Sequence, residues 1–223
     1  MKRISERSVK NVFINDKLLL ESSMKRIICA LTIVTLAARA ALADADVGKA
    51  APEFTAQDIN GKTHKLSEYK GKIVVLESYN LDCPFCANHF RTGAMQELQG
   101  YATAKGVVWL VINSSGPKSF SYREPAKAKK EFAAQKMKAT AWIDDSSGAL
   151  GKAYGLKVTP HMVVIDKNGI VAYNGAIDDS PAAEGDPRKA RNYVREAIDK
   201  LGAGQAVAVA RTRPYGCGIK YAN

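Results

Sequence analysis

Two cysteines, Cys83 and Cys86, are three residues apart and enclose Pro84 and Phe85. Residues at positions i and i+3 of a helix share one face, so the two thiols are within reach of each other for a disulfide. In thiol–disulfide exchange, one thiolate attacks a disulfide and a neighbouring thiol resolves the mixed disulfide. The alternative is a static disulfide, but so short a loop constrains little of the unfolded chain. The spacing therefore favours a redox pair.

The segments around this pair predict a strand that runs directly into a helix. Residues 73–79 are a short, β-branched apolar run that is typical of a buried strand. Pro84 suits the first turn of a helix, which we expect to continue to about Gln99. The unpaired N–H groups and the dipole at that helix end stabilise a thiolate at Cys83. We therefore assign Cys83 as the nucleophile and Cys86 as the resolving thiol.

The rest of the chain alternates predicted strands with predicted helices. We expect strands at residues 107–112, 140–143, 162–165 and 170–173, and helices at residues 125–136, 146–154 and 186–201. The crossover between the strand at residues 73–79 and the strand at residues 107–112 implies a parallel pair, and the turn residues Asp166–Gly169 indicate a hairpin. This order predicts one α/β domain over residues 44–203, with a central mixed sheet flanked by helices, and a tail over residues 204–223.

The N-terminus has the pattern of a secretory signal peptide. A basic start at Met24–Arg26 precedes an apolar run over residues 27–38, and Ala41 and Ala43 are small residues ahead of a cleavage site. The apolar run is shorter than the roughly 20 residues that span a bilayer. We expect translation to begin at Met24, a signal peptide within residues 1–43, and an exported, periplasmic mature protein.

This signal accounts for much of the basic charge of the chain. The whole chain has a formal net charge of +11, but eight of its 33 basic residues and three of its 22 acidic residues lie in residues 1–43, which leaves +6. The lysines within residues 127–138 fall on a predicted helix and indicate a solvated face. The charge therefore gives no reason to expect nucleic-acid binding by an exported protein.

Several segments resemble the redoxin branch of the thioredoxin superfamily, which includes peroxiredoxins and TlpA-like periplasmic reductases. The matching segments are Gly48–Phe54, Gly61–Lys62, Leu66–Ser67, Lys70–Leu76, Cys83–Cys86 and Val158–Pro160. The segment Pro214–Tyr221 is similar to the tail of a peroxiredoxin-like subgroup. The resemblance covers about residues 48–175 and implies a thioredoxin-like fold. No organic cofactor is expected, because the cysteines themselves carry two electrons.

The resemblance also implies roles for residues outside the cysteine pair. Glu77 would relay the proton that Cys86 loses on attack, and burial should raise the pKa of this carboxyl. Thr159 and Pro160 would form a cis-proline loop whose backbone pairs with an extended substrate peptide. Cys217 would be a secondary resolving thiol on a tail that bends easily. The alternatives are a solvent-facing carboxylate, an ordinary trans proline and a free thiol.

Two positions differ from the usual pattern of these relatives. Asp82 occupies the place of the tryptophan that usually precedes the first cysteine, so the partner surface should differ as well. Asn80 occupies the place of the threonine that peroxiredoxins usually carry three residues before the reactive cysteine. The second difference favours disulfide exchange over peroxide reduction.

The sequence thus predicts an exported thiol–disulfide oxidoreductase that acts on disulfide-bearing or thiol-bearing exported proteins, with a membrane or thiol electron donor. One alternative is a thiol peroxidase, in which Cys83 becomes a sulfenic acid that Cys86 or Cys217 resolves. The other is a copper-binding chaperone that uses the cysteines with His161 or His89. We expect instead that His89 lies on a helix surface and that His161 shapes the pocket from its loop.

Overall fold

The computed structural model describes residues 45–222. The expected signal peptide, its cleavage site and the expected start at Met24 lie outside the described residues. Within residues 45–222, no helix is both long enough and apolar enough to cross a membrane.

Strands and helices alternate along the described part of the chain. Its strands are β1 (Thr55–Gln57), β2 (Thr63–Lys65), β3 (Val74–Ser78), β4 (Val108–Asn113), β5 (Ala141–Asp144), β6 (Val158–Thr159), β7 (His161–Ile165), β8 (Val171–Gly175) and β9 (Cys217–Gly218). Its α-helices are α1 (Pro84–Arg91), α2 (Ala94–Ala104), α3 (Pro125–Ala134), α4 (Ala149–Ala153) and α5 (Tyr193–Gly202). Short 3₁₀ turns cover Leu66–Tyr69 and Pro187–Lys189.

Five of these strands form one mixed sheet in the order β5-β4-β3-β7-β8. The expected parallel crossover is confirmed, because β4 runs parallel to both β3 and β5. Strand β7 runs antiparallel to β3 and to β8, and its connection to β8 is the expected hairpin. With helices packed on the sheet, the fold is thioredoxin-like, as the sequence predicts.

Strand β3 is buried on both faces and divides the core into two parts. Val75 packs in one hydrophobic cluster with Trp109 and residues of α1, α2 and α5, whereas Val74 packs in a second cluster with Leu150 of α4. Each buried aliphatic side chain contributes about 1.5–3 kcal/mol. Glu77 is two residues after Val75, so it shares the face of the first cluster. The strand thereby places a carboxyl group inside the core.

The helix that carries the cysteine pair ends earlier than expected. One helix was predicted from Pro84 to about Gln99, but α1 ends at Arg91 and α2 begins at Ala94. Gly93 separates them with a left-handed backbone and a φ of 81°. Glycine adopts this conformation without a Cβ penalty, so it favours a break that hydrophobic periodicity alone does not indicate.

The last helix also begins later than expected. It was predicted from Asp186, but Pro187 starts a 3₁₀ turn and α5 begins at Tyr193. The Asn192 side chain accepts a hydrogen bond from the Arg195 N–H at 2.8 Å and caps this helix. A side-chain cap of this kind satisfies one of the unpaired N–H groups of the first turn and fixes the true start.

The tail after α5 lies along the domain. Strand β9 pairs antiparallel with β6 and places Cys217 opposite Thr159. Near the end of the tail, the Tyr221 hydroxyl donates to the Leu156 carbonyl at 2.7 Å. A segment expected to bend easily thus makes specific contacts, and these contacts bring its cysteine to the cis-proline loop.

Candidate active site

Cys83 is the N-cap residue of α1, and Pro84 is the first residue of that helix. Cys83 has an extended backbone, with φ −84° and ψ 119°, and its carbonyl accepts the Ala87 N–H at 2.9 Å. Its sulfur therefore lies at the helix end where unpaired N–H groups and the dipole favour negative charge. Cys86 is in the first turn and is fully buried. Both cysteines are free thiols.

Burial does not distinguish the two thiols of the pair. Cys83 and Cys86 each have 0% of their surface exposed. The Cys83 thiol donates a hydrogen bond to the Thr159 carbonyl at 2.9 Å, and the Cys217 thiol donates to the Cys83 sulfur. Both covering residues are far away in sequence, so the spacing of the cysteine pair does not indicate them.

The two thiols of the pair differ in acidity. A hydrogen bond from the Cys86 thiol, which outweighs burial and is aided by the Cys217 thiol and the Cys86 N–H, lowers the pKa of Cys83 to about 4. Burial, together with the hydrogen bond and charge of Cys83, raises the pKa of Cys86 well above its ordinary value. These shifts favour the thiolate at Cys83 and the neutral thiol at Cys86. This is the division that a nucleophile and a resolving thiol require.

We expect alkylation of the reduced protein at pH 7 to modify Cys83 before Cys86. The thiolate is the reactive form, and only Cys83 holds its thiolate at that pH. Fragment-ion mass spectrometry of the peptide that contains both residues locates the label. A Cys83→Ser chain, treated in the same way, should leave Cys86 unlabelled. Initial labelling at Cys86 would reverse the two assignments.

Glu77 is fully buried, so a solvent-facing carboxylate is excluded. Its Oε2 accepts hydrogen bonds from Trp109 Nε1 at 2.7 Å and from Gln99 Nε2 at 2.9 Å, while its Oε1 has no partner among the described residues. Burial, opposed by these two bonds, raises the pKa of Glu77 to about 7. Its negative charge in turn raises the pKa of Cys86. The carboxyl can therefore gain or lose a proton at neutral pH.

The Thr159–Pro160 peptide bond is cis, as the resemblance implies. The Thr159 carbonyl faces the Cys83 thiol, and the Thr159 backbone pairs with Cys217 of β9. The Thr159 hydroxyl also donates to the Cys217 carbonyl at 3.4 Å. The strand edge that the resemblance assigns to a substrate peptide is thus occupied by the tail of the chain itself.

Both histidines near the site use their ring nitrogens in hydrogen bonds. His89 is buried rather than on the helix surface, with Nδ1 bonded to the Phe85 carbonyl and Nε2 to the Asp178 carboxylate, both at 2.9 Å. His161 bonds to a backbone N–H at 3.2 Å and to a side-chain amide at 2.7 Å. Over residues 45–222, no three His, Cys, Asp or Glu side chains form a group that could hold a metal ion.

Asp178, which sequence reasoning missed, connects α1 to the tail. One of its oxygens bonds to His89, and although burial opposes the effect, this bond raises the pKa of His89. Its other oxygen accepts the Tyr215 hydroxyl at 2.5 Å, and the Tyr215 ring packs on Phe85 with centroids 5.7 Å apart. The resemblance of the tail to a redoxin subgroup was the one sequence signal for this contact.

Residues 47–174 match the model of the AhpC/TSA family. The chain belongs to the AhpC/TSA family. The matched region contains the Cys83–Cys86 pair and the Thr159–Pro160 loop, whereas Cys217 lies beyond its end.

The curated relatives of this AhpC/TSA chain include proteins named as thiol-disulfide oxidoreductases and proteins named as peroxiredoxins. The thiol-disulfide oxidoreductase ResA of Geobacillus thermodenitrificans (strain NG80-2) is 30% identical over 125 residues, which are 56% of this chain and 66% of that protein. Peroxiredoxin Q, chloroplastic, of Oryza sativa subsp. japonica is 31% identical over 133 residues, which are 56% of this chain and 57% of that protein. The chain thus spans slightly less than two thirds of the ResA relative and a smaller share of the second.

A solved structure extends the likeness beyond the family match. The crystal structure of an uncharacterized conserved protein from Geobacillus kaustophilus is 25% identical, with a TM-score of 0.71, and the match covers 80% of this chain and 93% of that one. This agreement between the two backbone structures supports the fold of the AhpC/TSA chain.

Arg123 is a second site residue that the sequence did not indicate. Its Nη2 pairs with Asp82 at 2.9 Å and its Nε pairs with Glu131 at 2.7 Å, and its side chain is only 5% exposed. Asp82 immediately precedes Cys83, where its charge disfavours a thiolate. The buried guanidinium offsets that charge and fixes the loop before α1. No local pattern marks Arg123, because it lies in a loop far from the motif in sequence.

Proposed function

We propose that this chain is an exported thiol–disulfide oxidoreductase whose reacting group is the Cys83–Cys86 dithiol. One observation carries the proposal. The pKa of Cys83 is lowered and the pKa of Cys86, one helical turn away, is raised, and the charge of the buried Glu77 carboxylate contributes to the second shift. The relative named thiol-disulfide oxidoreductase ResA supports this reaction class. No organic cofactor is required, because the dithiol carries the two electrons.

In the first step, the Cys83 thiolate attacks one sulfur of a substrate disulfide. A mixed disulfide forms at Cys83, and the other substrate sulfur leaves as a thiolate. Thr159 and Pro160 bind the substrate backbone beside the reacting sulfur once the tail has left β6, since the edge of that strand can then pair with an extended peptide.

In the second step, Cys86 resolves the mixed disulfide. Its thiol must lose a proton first, and Glu77 is the acceptor, because its Oε1 is unpartnered and its pKa is close to neutral. The Cys86 thiolate then attacks the Cys83 sulfur, and the substrate sulfur leaves as a thiolate that takes up the proton held by Glu77 or one from water. The chain retains a Cys83–Cys86 disulfide, which an electron donor reduces by the reverse exchange.

Cys217 provides a secondary route of resolution. Burial, followed by the hydrogen bond to the Cys83 sulfur, raises the pKa of Cys217 to about 12, so this thiol reacts more slowly than a typical thiol. When Cys86 is absent, Cys217 attacks the mixed disulfide at Cys83, releases the substrate thiol and leaves a Cys83–Cys217 disulfide.

The proposed partners follow from the proposed location. The signal-like segment within residues 1–43 supports export to the periplasm, where disulfides form and persist. The substrates are disulfide-bearing or thiol-bearing exported proteins, and the donor is a membrane protein or a thiol.

A thiol peroxidase is the second candidate. The peroxiredoxin Q relative and the acidic Cys83 thiol favour it. In that reaction the Cys83 thiolate cleaves the O–O bond and becomes a sulfenic acid, and Cys86 or Cys217 then displaces water to form a disulfide.

A comparison of two oxidation rates separates the two candidate functions. The reduced protein is mixed with equal concentrations of a disulfide-bearing peptide or of hydrogen peroxide, and formation of the Cys83–Cys86 disulfide is followed by mass spectrometry after acid quenching. We expect the peptide to react faster, because Asn80 occupies the place of the threonine that peroxiredoxins usually carry three residues before the reactive cysteine. A faster reaction with peroxide would select the peroxidase.

A further inference from the structure

The tail strand, defined as residues 215–219, adds a strand to the edge of β6. Cys217 pairs with Thr159 and Gly218 pairs with Val158, in antiparallel register. The Ile219 N–H continues this pairing by donating to the Lys157 carbonyl at 3.1 Å. Strand addition of this kind is a general way in which proteins bind extended peptides. Here the bound peptide is part of the same chain.

The register of the tail strand places its cysteine against the nucleophile. Cys217 is opposite Thr159, whose carbonyl accepts the Cys83 thiol at 2.9 Å, and the Cys217 thiol donates to the Cys83 sulfur. Cys83 is 0% exposed in this arrangement. A disulfide substrate cannot reach the Cys83 sulfur while Cys217 occupies that position.

Gly216 makes this close approach possible. A Cβ atom built at Gly216 overlaps the Thr159 carbonyl oxygen and lies 2.7 Å from its carbonyl carbon. Its φ of 128° is also in the region that favours glycine. By contrast, a Cβ at Gly218 meets no atom within 4 Å. The two glycines thus differ sharply in what a methyl group would do to the tail strand.

Tyr215 fastens the tail strand to the helix that carries the cysteines. Its hydroxyl donates to Asp178, which in turn holds His89 of α1, and its ring packs on Phe85 between the two cysteines. These contacts join the tail strand to the active-site helix in addition to its pairing with β6. The strand is thus held to two elements without a covalent bond.

We propose that the tail strand is an intramolecular substrate mimic bound to the edge of β6, and that the substrates are extended cysteine-bearing segments that displace it. The proposal rests on the proposed exchange reaction at Cys83. The tail then defines the bound form of a substrate: antiparallel to β6, its cysteine opposite Thr159, and a small residue before that cysteine. With no such partner present, the tail strand covers the acidic Cys83 thiol.

The test compares alkylation rates of Cys83 in reduced full-length chains. Gly216→Ala should label at least about tenfold faster than the unmodified chain, because expelling the tail strand opens the site. Gly218→Ala is the matched control and should label at the unmodified rate. Peptide mapping by mass spectrometry assigns the label to Cys83 rather than to Cys217.

A second variant and a peptide complete the design. Tyr215→Phe removes only the hydroxyl bond to Asp178 and should give a smaller increase, which keeps the test decisive if Gly216→Ala fails to fold. A synthetic peptide of residues 213–222 with serine at the Cys217 position should slow labelling of Gly216→Ala again. Equal rates in Gly216→Ala, Gly218→Ala and the unmodified chain would overturn the proposal. Labelling needs no turnover, so this outcome is distinct from a failure of exchange activity.

Discussion

Replacing Cys83 by serine is expected to lower the rate of disulfide exchange by at least about 10³-fold, because a hydroxyl is not ionised near neutral pH and cannot attack sulfur. The measurement is reduction of a disulfide-bearing peptide by the pre-reduced chain. The serine hydroxyl keeps a donor beside the Thr159 carbonyl, so circular dichroism of the variant should match that of the unmodified chain. Substantial residual exchange would assign the nucleophile elsewhere.

Variants of the other two thiols identify the resolving step. In Cys86→Ser, attack by Cys83 continues, and mild oxidation should give a Cys83–Cys217 linkage. In the double variant Cys86→Ser, Cys217→Ser, no thiol remains in the site to resolve the adduct, so the mixed disulfide at Cys83 should accumulate. Only sulfenic acid or glutathione adducts in the single variant would make Cys217 a bystander.

Glu77→Gln is expected to slow resolution of the mixed disulfide by about 10²-fold and to leave the first attack unchanged, because a positioned general base typically contributes that much. In the unmodified chain, resolution should accelerate as the pH rises through about 7, where Glu77 loses its proton. The variant should lose this pH dependence. Rapid-quench mass spectrometry of the Cys83 adduct measures both steps.

The pH dependence of the free energy of unfolding, measured beside the rate of resolution, separates a proton-relay role of Glu77 from a structural role. The pKa of Glu77 is raised from 4.5 to about 7 in the folded chain, so its contribution to stability is present below pH 4.5 and is lost as the pH rises through 7. The loss is about 3 kcal/mol, and Glu77→Gln should remove it. Asp145→Asn is a control, since Asp145 is another buried carboxyl with a raised pKa, bonded to Ser114 and to backbone N–H groups. It should leave the rate of resolution unchanged, whereas equal slowing in both variants would contradict the relay.

The cysteine pair and its setting could be predicted from sequence because their signals are local. The β-branched run before Cys83, the helix-starting Pro84 and the three-residue spacing each act over a few residues. The buried position of Glu77 follows from the same run, because a strand buried on both faces has no solvent side. The expected alternation of strands and helices is also confirmed, because it too depends on sequence patterns that act over a few residues.

The burial of Cys83 beneath the tail strand could not be predicted, because it depends on contacts between segments that are far apart in the sequence. Cys217 and Thr159 are 58 residues apart, and Arg123 and Asp82 are 41 residues apart. The composition around Cys217 indicates a tail that bends easily, whereas Gly216 allows close packing instead. His89 was placed on a surface because its buried partner Asp178 is 89 residues further along the chain.

We infer that Cys83 and Cys86 form a reversible two-electron couple. Its most direct test is a redox titration of the protein against mixtures of reduced and oxidised glutathione, with the disulfide located by mass spectrometry at each point. We predict a single transition with a two-electron slope, in which the Cys83–Cys86 disulfide replaces the two thiols and Cys217 stays reduced. A titration that leaves Cys86 as a thiol throughout, with glutathione or Cys217 on Cys83, would contradict the claim.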